Sequence, residues 1–406
     1  MSGHDLLPID QALAAVLAQT STLPAEIVAL ELGLGRVLAA DLTADRPQPA
    51  FDRSAMDGVA LRCADWQPGA WMPQQGQILA GKPWDGALLP GHCLRIMTGA
   101  QVPDGADAVV PVEKIEVDLR LGQDGAQQTW VRLAEAPKRE QHIARMGCEV
   151  QENQAVLKAG QRLTPARLGV AASFGHAALP VVRRPIVALV PTGDELVAVD
   201  VLPGPGQIRD SNRYAIAALL AADAEVLHFA PARDQPDALR LALEQAWAHA
   251  DVLVTIGGVS AGDADLVAPT LLALGAHSHF HKIRIKPGKP LLFATQGRKL
   301  AFGLPGNPLA AMVGAALFVK PALARLQGEA VERWPQLQLP VASALPGVGP
   351  RDEVYACSLT DLGAVQIHGN RGSADLPAFA QGTWLALRRA GSPALQAGEL
   401  VTVLPQ

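Results

Sequence analysis

From Arg184 onward the chain alternates so regularly that few folds remain open to it. "PIVALVPTGDEL" reads as a buried strand running into a polar loop, and "SNRYAIAALLAADA" as a helix capped by Ser211 or Asn212. "AEVLHFAPARD" is a strand. "PDALRLALEQAWAHA" is a helix with Leu239, Leu243, Ala246, Trp247 and Ala250 on one face. "DVLVTIGGVSAGDAD" is a strand followed by a glycine loop. Apolar strands alternating with helices imply a doubly wound, mostly parallel sheet with both faces covered. The last helix of this unit starts after "FGLPGNP", where Asn307 is a good N-cap and Pro308 suits the first turn. Its apolar stretch, 309–319, reads as too short to span a bilayer and as ended by Lys320-Pro321.

The flanking segments have a different character. Ile9, Leu13, Val16 and Leu17 keep helical spacing. Gly, Pro and short alternating segments between about 44 and 147 are the pattern of a small β domain. Thr164 is a cap before "PARLGVAASFG", and short strands between turns follow Gly328. The expected architecture is therefore a multidomain α/β chain. The doubly wound domain takes 1–24 and 181–327, and a small mixed α/β domain takes 25–43 and 148–180. A small β domain is inserted at 44–147, and a C-terminal β domain takes 328–406.

Composition narrows the function classes. At 406 residues with 49% hydrophobic content, the chain can build several cores. A net charge of -5 and an aromatic content of 4% argue against nucleic acid as the main partner. The N-terminus carries no basic segment before its apolar part, unlike a secretory signal. Cys63, Cys93, Cys148 and Cys357 are too far apart for a metal knuckle or a C-x-x-C pair, and read as reduced thiols of a cytoplasmic protein.

In a doubly wound sheet, ligands bind beyond the C-terminal ends of the strands. Three of these loops carry acids: "TGDEL" (192–196), "ARD" ending at Asp234, and "GGVSAGDAD" (257–265). A single Asp in such a loop is most often a helix cap. Three acids at one edge repel one another, and a divalent cation relieves the repulsion; with no His or Cys in these loops, Mg²⁺ suits them better than zinc. Gly257 and Gly258 allow a ligand close to the backbone. In "HKIRIKPGKP" a strand would put Lys282, Arg284 and Lys286 on one face and Ile283 and Ile285 on the other, with Lys289 beyond a turn. Such a row is either a protected edge or a floor for an oxyanion or phosphate. In "FDRSAMDGVALR", Asp57 sits in a tight turn where Gly58 is expected to permit an unusual backbone conformation.

Together, "SAMDGVA" (54–60), "RIMTGAQVP" (95–103), "TGDEL", "DSNR" (210–213), "GGVSAGDAD", "IKPGKP" (285–290) and "GLPGNP" (303–308) resemble the molybdopterin molybdenumtransferase family, that is MoeA and the E domain of gephyrin. The motifs occur in the family's order and cover nearly the whole chain.

The resemblance implies a molybdopterin-binding type of doubly wound domain and an elongated homodimer. Molybdate enters adenylylated molybdopterin, with Mg²⁺-dependent release of AMP. The implied catalytic acids are Asp57, reaching in from a partner subunit, Glu195, Asp234 and Asp265, the last three also as Mg²⁺ ligands. The implied ligand-binding residues are Thr98, Glu149, Thr192, Gly193, Asp194, Ser211, Asn212, Gly257, Gly258, Ser260, Lys286, Lys289, Pro305, Gly306, Asn307, Pro308, Arg371 and Ser373. Other cofactor-biosynthesis proteins and recipient molybdoenzymes are the implied partners, with no nucleic acid and no membrane. The chain departs from the family pattern at Val59, at Cys148-Glu149 and at Ala310, where the family usually has Tyr, Glu-Asp, and Ser or Thr. The rival readings are a molybdopterin adenylyltransferase or nucleotide hydrolase built on the same doubly wound unit, and a gephyrin-like scaffold.

Overall fold

The computed structural model describes residues 6–121, 126–259, 265–368 and 375–405; Ser260, Arg371 and Ser373 lie outside the described residues. The chain forms two compact units. One comprises Met1–Ala40, Ala159–Leu168 and Ala178–Gln406, and the other Asp41–Lys158 and Gly169–Ala177.

The larger unit is built on a six-stranded doubly wound sheet in the order Glu225–His228, Ile186–Pro191, Val252–Ile256, Lys299–Leu304, Pro290–Gln296, His277–Lys282. The first four strands are parallel, and Pro290–Gln296 runs antiparallel to both its neighbours. Successive side chains split between two cores. Val187, Leu189, Val254, Phe293 and Phe302 pack with Ile9, Leu13, Ile216 and Phe318 on one face. Ala188, Val190, Leu253, Leu292 and Ala301 pack with Leu239, Leu243, Trp247 and Leu271 on the other. Each Val, Leu, Ile or Phe among them contributes about 1.5–3 kcal/mol by leaving water, so both faces are strongly specified. A second sheet of the same unit runs Ile285–Lys286, Asp352–Leu359, Trp384–Arg388, Leu400–Pro405, Leu337–Pro340, with Val365–Ile367 added on Asp352–Leu359.

Three local expectations are corrected here. The 212–220 helix is capped not by Ser211 or Asn212 but by Asp210, whose Oδ1 accepts from Arg213 N at 3.2 Å. Ser211 already has helical dihedrals, so the capping position moves back one residue. The basic row is not one strand face. The strand ends at Lys282, Arg284 N donates to Leu7 O, and Ile285–Lys286 joins the second sheet. Helix Pro308–Leu326 does not stop at Lys320-Pro321. By length and composition it could cross a membrane, yet most of it is buried inside the unit. It passes Pro321 through a π-helical turn, Ala315–Val319. Pro321 has no N–H for the Leu317 carbonyl four residues earlier, and the Trp334 indole donates to that carbonyl at 2.7 Å instead.

The smaller unit holds a six-stranded sheet in the order Ala108–Pro111, Gly58–Leu61, Cys93–Ile96, Met72–Ile78, Gln127–Leu133, Ile115–Leu121. Val59 is buried among Met72, Cys93 and Val110. Gly58 does not adopt a left-handed backbone. It is required because a Cβ there would lie 2.1 Å from the Val110 carbonyl oxygen.

Candidate functional site

The Asn307 turn stands between two cavities of the larger unit. One, of about 320 Å³, is lined by Thr192, Glu195, Asp210, Ser211, Asn212, Gly306, Asn307 and Pro308. The other, of about 560 Å³, is lined by Lys286, Lys289, Pro305, Asn307, Arg351 and Tyr355. Both volumes suit a small-molecule ligand.

The first cavity is assembled at the C-terminal ends of Ile186–Pro191 and Val252–Ile256, where the strand order reverses. Its walls are tied to each other. Thr192 N donates to Ile256 O at 2.9 Å, and Gly257 N to Leu304 O at 2.9 Å. Asn212 Nδ2 donates to the Gly306 carbonyl at 2.6 Å, joining the "DSNR" loop to the "LPGNP" turn. Gly257 has φ +98°, and a Cβ there would stand 2.6 Å from Thr192 O. Only glycine lets these two loops approach so closely. Asn307 is extended at the N-cap, and Ala311 N bonds back to its carbonyl at 2.9 Å. The first N–H groups of the helix are thereby left at the cavity wall, where an anion is favoured.

The acids divide. Glu195 lines the first cavity. Gly193 N donates to Ala232 O, and Asp234 N approaches Asp194 Oδ1 at 3.4 Å, so the 192–195 and 232–234 loops run side by side. Asp265 turns instead to His281, with Oδ2 3.0 Å from Nε2. Among the described residues no three His, Cys, Asp or Glu side chains form a metal-holding group. Glu195, Asp234 and Asp265 are thus not gathered into a ready-made cage. Glu195 and Asp234 on neighbouring loops do fit Mg²⁺ of the kind held by one or two carboxylates together with substrate phosphates.

The second cavity is basic. Lys286 is paired with Glu353, Nζ to Oε1 at 3.0 Å, and Glu353 also accepts from the Tyr355 hydroxyl. Burial works to raise the Glu353 carboxyl, but the bonds from Tyr355 and Lys286 outweigh it and hold its pKa below the usual value. Burial, with Glu353 beside it, pushes the Tyr355 phenol up. Arg351 was missed by sequence reasoning. It stands just before the Asp352–Leu359 strand, and no local spacing marks it.

The smaller unit brings Asp57 and Thr98 together. Asp57 Oδ1 accepts from Thr98 N at 2.6 Å and from Thr98 Oγ1 at 2.7 Å. The backbone bond first, and the hydroxyl after it, hold the Asp57 carboxyl below the ordinary value. Glu149 is ion-paired with Arg53 at 2.7 Å.

Residues 7–175 match the family model described as MoeA N-terminal region (domain I and II), and residues 188–325 match the one described as probable molybdopterin binding domain. A Haemophilus influenzae protein named molybdopterin molybdenumtransferase is 33% identical over 414 residues, covering 98% of each chain. A Bacillus subtilis protein of the same name is 37% identical over 323 residues, covering 78% of this chain and 74% of its own length. The crystal structure of a molybdopterin biosynthesis MoeA protein from Pyrococcus horikoshii shares the fold. Its TM-score is 0.85 at 24% identity, over 99% of this chain and 100% of that one.

Proposed function

We propose that this chain, which belongs to the molybdopterin molybdenumtransferase family, inserts molybdate into adenylylated molybdopterin with Mg²⁺-dependent release of AMP. The chain is accordingly a transferase of molybdenum cofactor biosynthesis. The observation that carries the finer reading is the position of Asn307, shared by a polar cavity and a basic one.

The polar cavity receives the adenylylated pterin. Thr192, Asn212 and the helix N-terminus after Asn307 orient its phosphates, and Gly257 allows close approach. The basic cavity holds the oxyanion through Lys289 and Arg351, with Lys286 at its edge. Glu195 and Asp234 would hold Mg²⁺, which when bound neutralises charge on the phosphoanhydride. The work of the protein is to position two anions and offset their repulsion; no covalent enzyme intermediate is needed.

The same reading includes a homodimer in which Asp57 comes from the second copy. It also includes a cytoplasmic location, the four-domain division at 1–24/181–327, 25–43/148–180, 44–147 and 328–406, and delivery of product to recipient molybdoenzymes. The test is to incubate the protein with adenylylated molybdopterin and Mg²⁺, with and without molybdate. AMP release that requires molybdate supports the reading. ATP turnover with molybdopterin in place of AMP release replaces it with an adenylyltransferase.

A further inference from the structure

Lys286 is not a free cation. It lies directly opposite Glu353 in the parallel pairing of Ile285–Lys286 with Asp352–Leu359. Glu353 in turn faces Arg388 across the antiparallel pairing with Trp384–Arg388 and accepts from the Tyr355 hydroxyl. The Glu353 side chain is 14% exposed and that of Lys286 54%, so the carboxylate is the fixed member of the pair and the ammonium the mobile one. Lys289 and Arg351 line the same cavity, and neither forms an ion pair among the described residues.

This arrangement bears on how tightly the cavity holds an oxyanion. A fully deprotonated tetrahedral dianion offers only acceptors, and so does an ionised carboxylate. An oxyanion drawn to Lys286 therefore has to compete with Glu353 for the ammonium, and meets a like charge behind it.

We propose that Glu353 sets how tightly the basic cavity holds an oxyanion: from behind the cavity wall it withholds Lys286 and leaves Lys289 and Arg351 to carry the ligand's charge. The inference rests on the reading of this cavity as the oxyanion site. It adds that the charge of the site is deliberately tempered, so that dianions are held less tightly than three free cations would hold them.

The test is calorimetric binding of molybdate, sulfate and inorganic phosphate to the full chain. Glu353→Gln keeps the shape and the acceptor for Tyr355 and removes the charge. It should tighten all three oxyanions by about tenfold, the scale of one released charge-assisted contact. Loss of a merely structural residue would weaken binding, not tighten it. Glu353→Asp should return dianion affinity toward wild type, and in a Lys286→Gln background Glu353→Gln should gain less. Independently of any change at Glu353, Lys286→Gln alone should weaken sulfate binding less than Lys289→Gln does. Unchanged or weaker dianion binding in Glu353→Gln, with Lys289→Gln still weakening it, overturns the role of Glu353 and leaves the oxyanion reading standing. Wild-type binding in Lys286→Gln, Lys289→Gln and Arg351→Gln alike overturns the oxyanion reading, and this inference with it.

Discussion

The side-chain amide of Asn212 donates to the backbone carbonyl of Gly306 at 2.6 Å, across 94 residues of chain. It holds the turn that opens helix Pro308–Leu326 against the loop that opens helix Asn212–Leu220. Asn212→Ala removes one hydrogen bond, which stabilises by about 0.5–1.5 kcal/mol. The expected outcome is a small loss of thermal stability and a larger loss in the affinity for adenylylated molybdopterin. Calorimetric melting and equilibrium pterin binding, measured on the same preparation, check it. A drop in melting temperature with unchanged pterin affinity would make this bond structural only.

Asp57 is exposed, yet two bonds from Thr98 hold its carboxyl below the ordinary value. A depressed carboxyl favours the folded state above its unfolded pKa, and that contribution is lost as the pH falls through the folded value. Thr98→Val deletes the hydroxyl bond and keeps the backbone one, so Asp57 should titrate higher than in wild type but still below free aspartate. Carboxyl NMR titration reads this directly. Asp57→Asn should lower AMP release by orders of magnitude in a chain that remains folded, as judged by circular dichroism.

Glu195 and Asp265 should respond differently to neutralisation. Glu195 faces the polar cavity, whereas Asp265 is engaged by His281. Glu195→Gln is expected to raise the Mg²⁺ concentration for half-maximal AMP release by about tenfold or more, the scale of one charged contact. Asp265→Asn should shift it less. A larger Mg²⁺ shift in Asp265→Asn than in Glu195→Gln reverses the assignment.

The doubly wound sheet was legible because its strands are apolar on both faces and each reports its burial locally. Val187 and Ala188 are sorted to opposite cores by sequence parity alone. The glycine pair was legible for the same kind of reason, since close approach and a left-handed backbone both call for glycine locally. Contacts between distant segments were not. Nothing near Lys286 announces Glu353, 67 residues away, so the lysine read as a free cation. The strand break after Lys282 depends on Arg284 bonding to Leu7, a contact invisible in "HKIRIKPGKP". Pro321 read as a helix end because the indole that satisfies the exposed carbonyl comes from Trp334, beyond the helix. Asp57, Thr98 and Glu149 stood out through family resemblance, not through spacing.

The central claim, that molybdate is held in the basic cavity beside the pterin, is tested most directly by single-turnover AMP release against molybdate concentration, in wild type and in Lys289→Gln. Lys289 is the better probe because Lys286 is already engaged by Glu353. Loss of one charge-assisted contact, about 1.5–3 kcal/mol, should raise the half-maximal molybdate concentration roughly ten- to hundredfold, with a smaller change in pterin affinity. Wild-type molybdate dependence in Lys289→Gln would contradict the account.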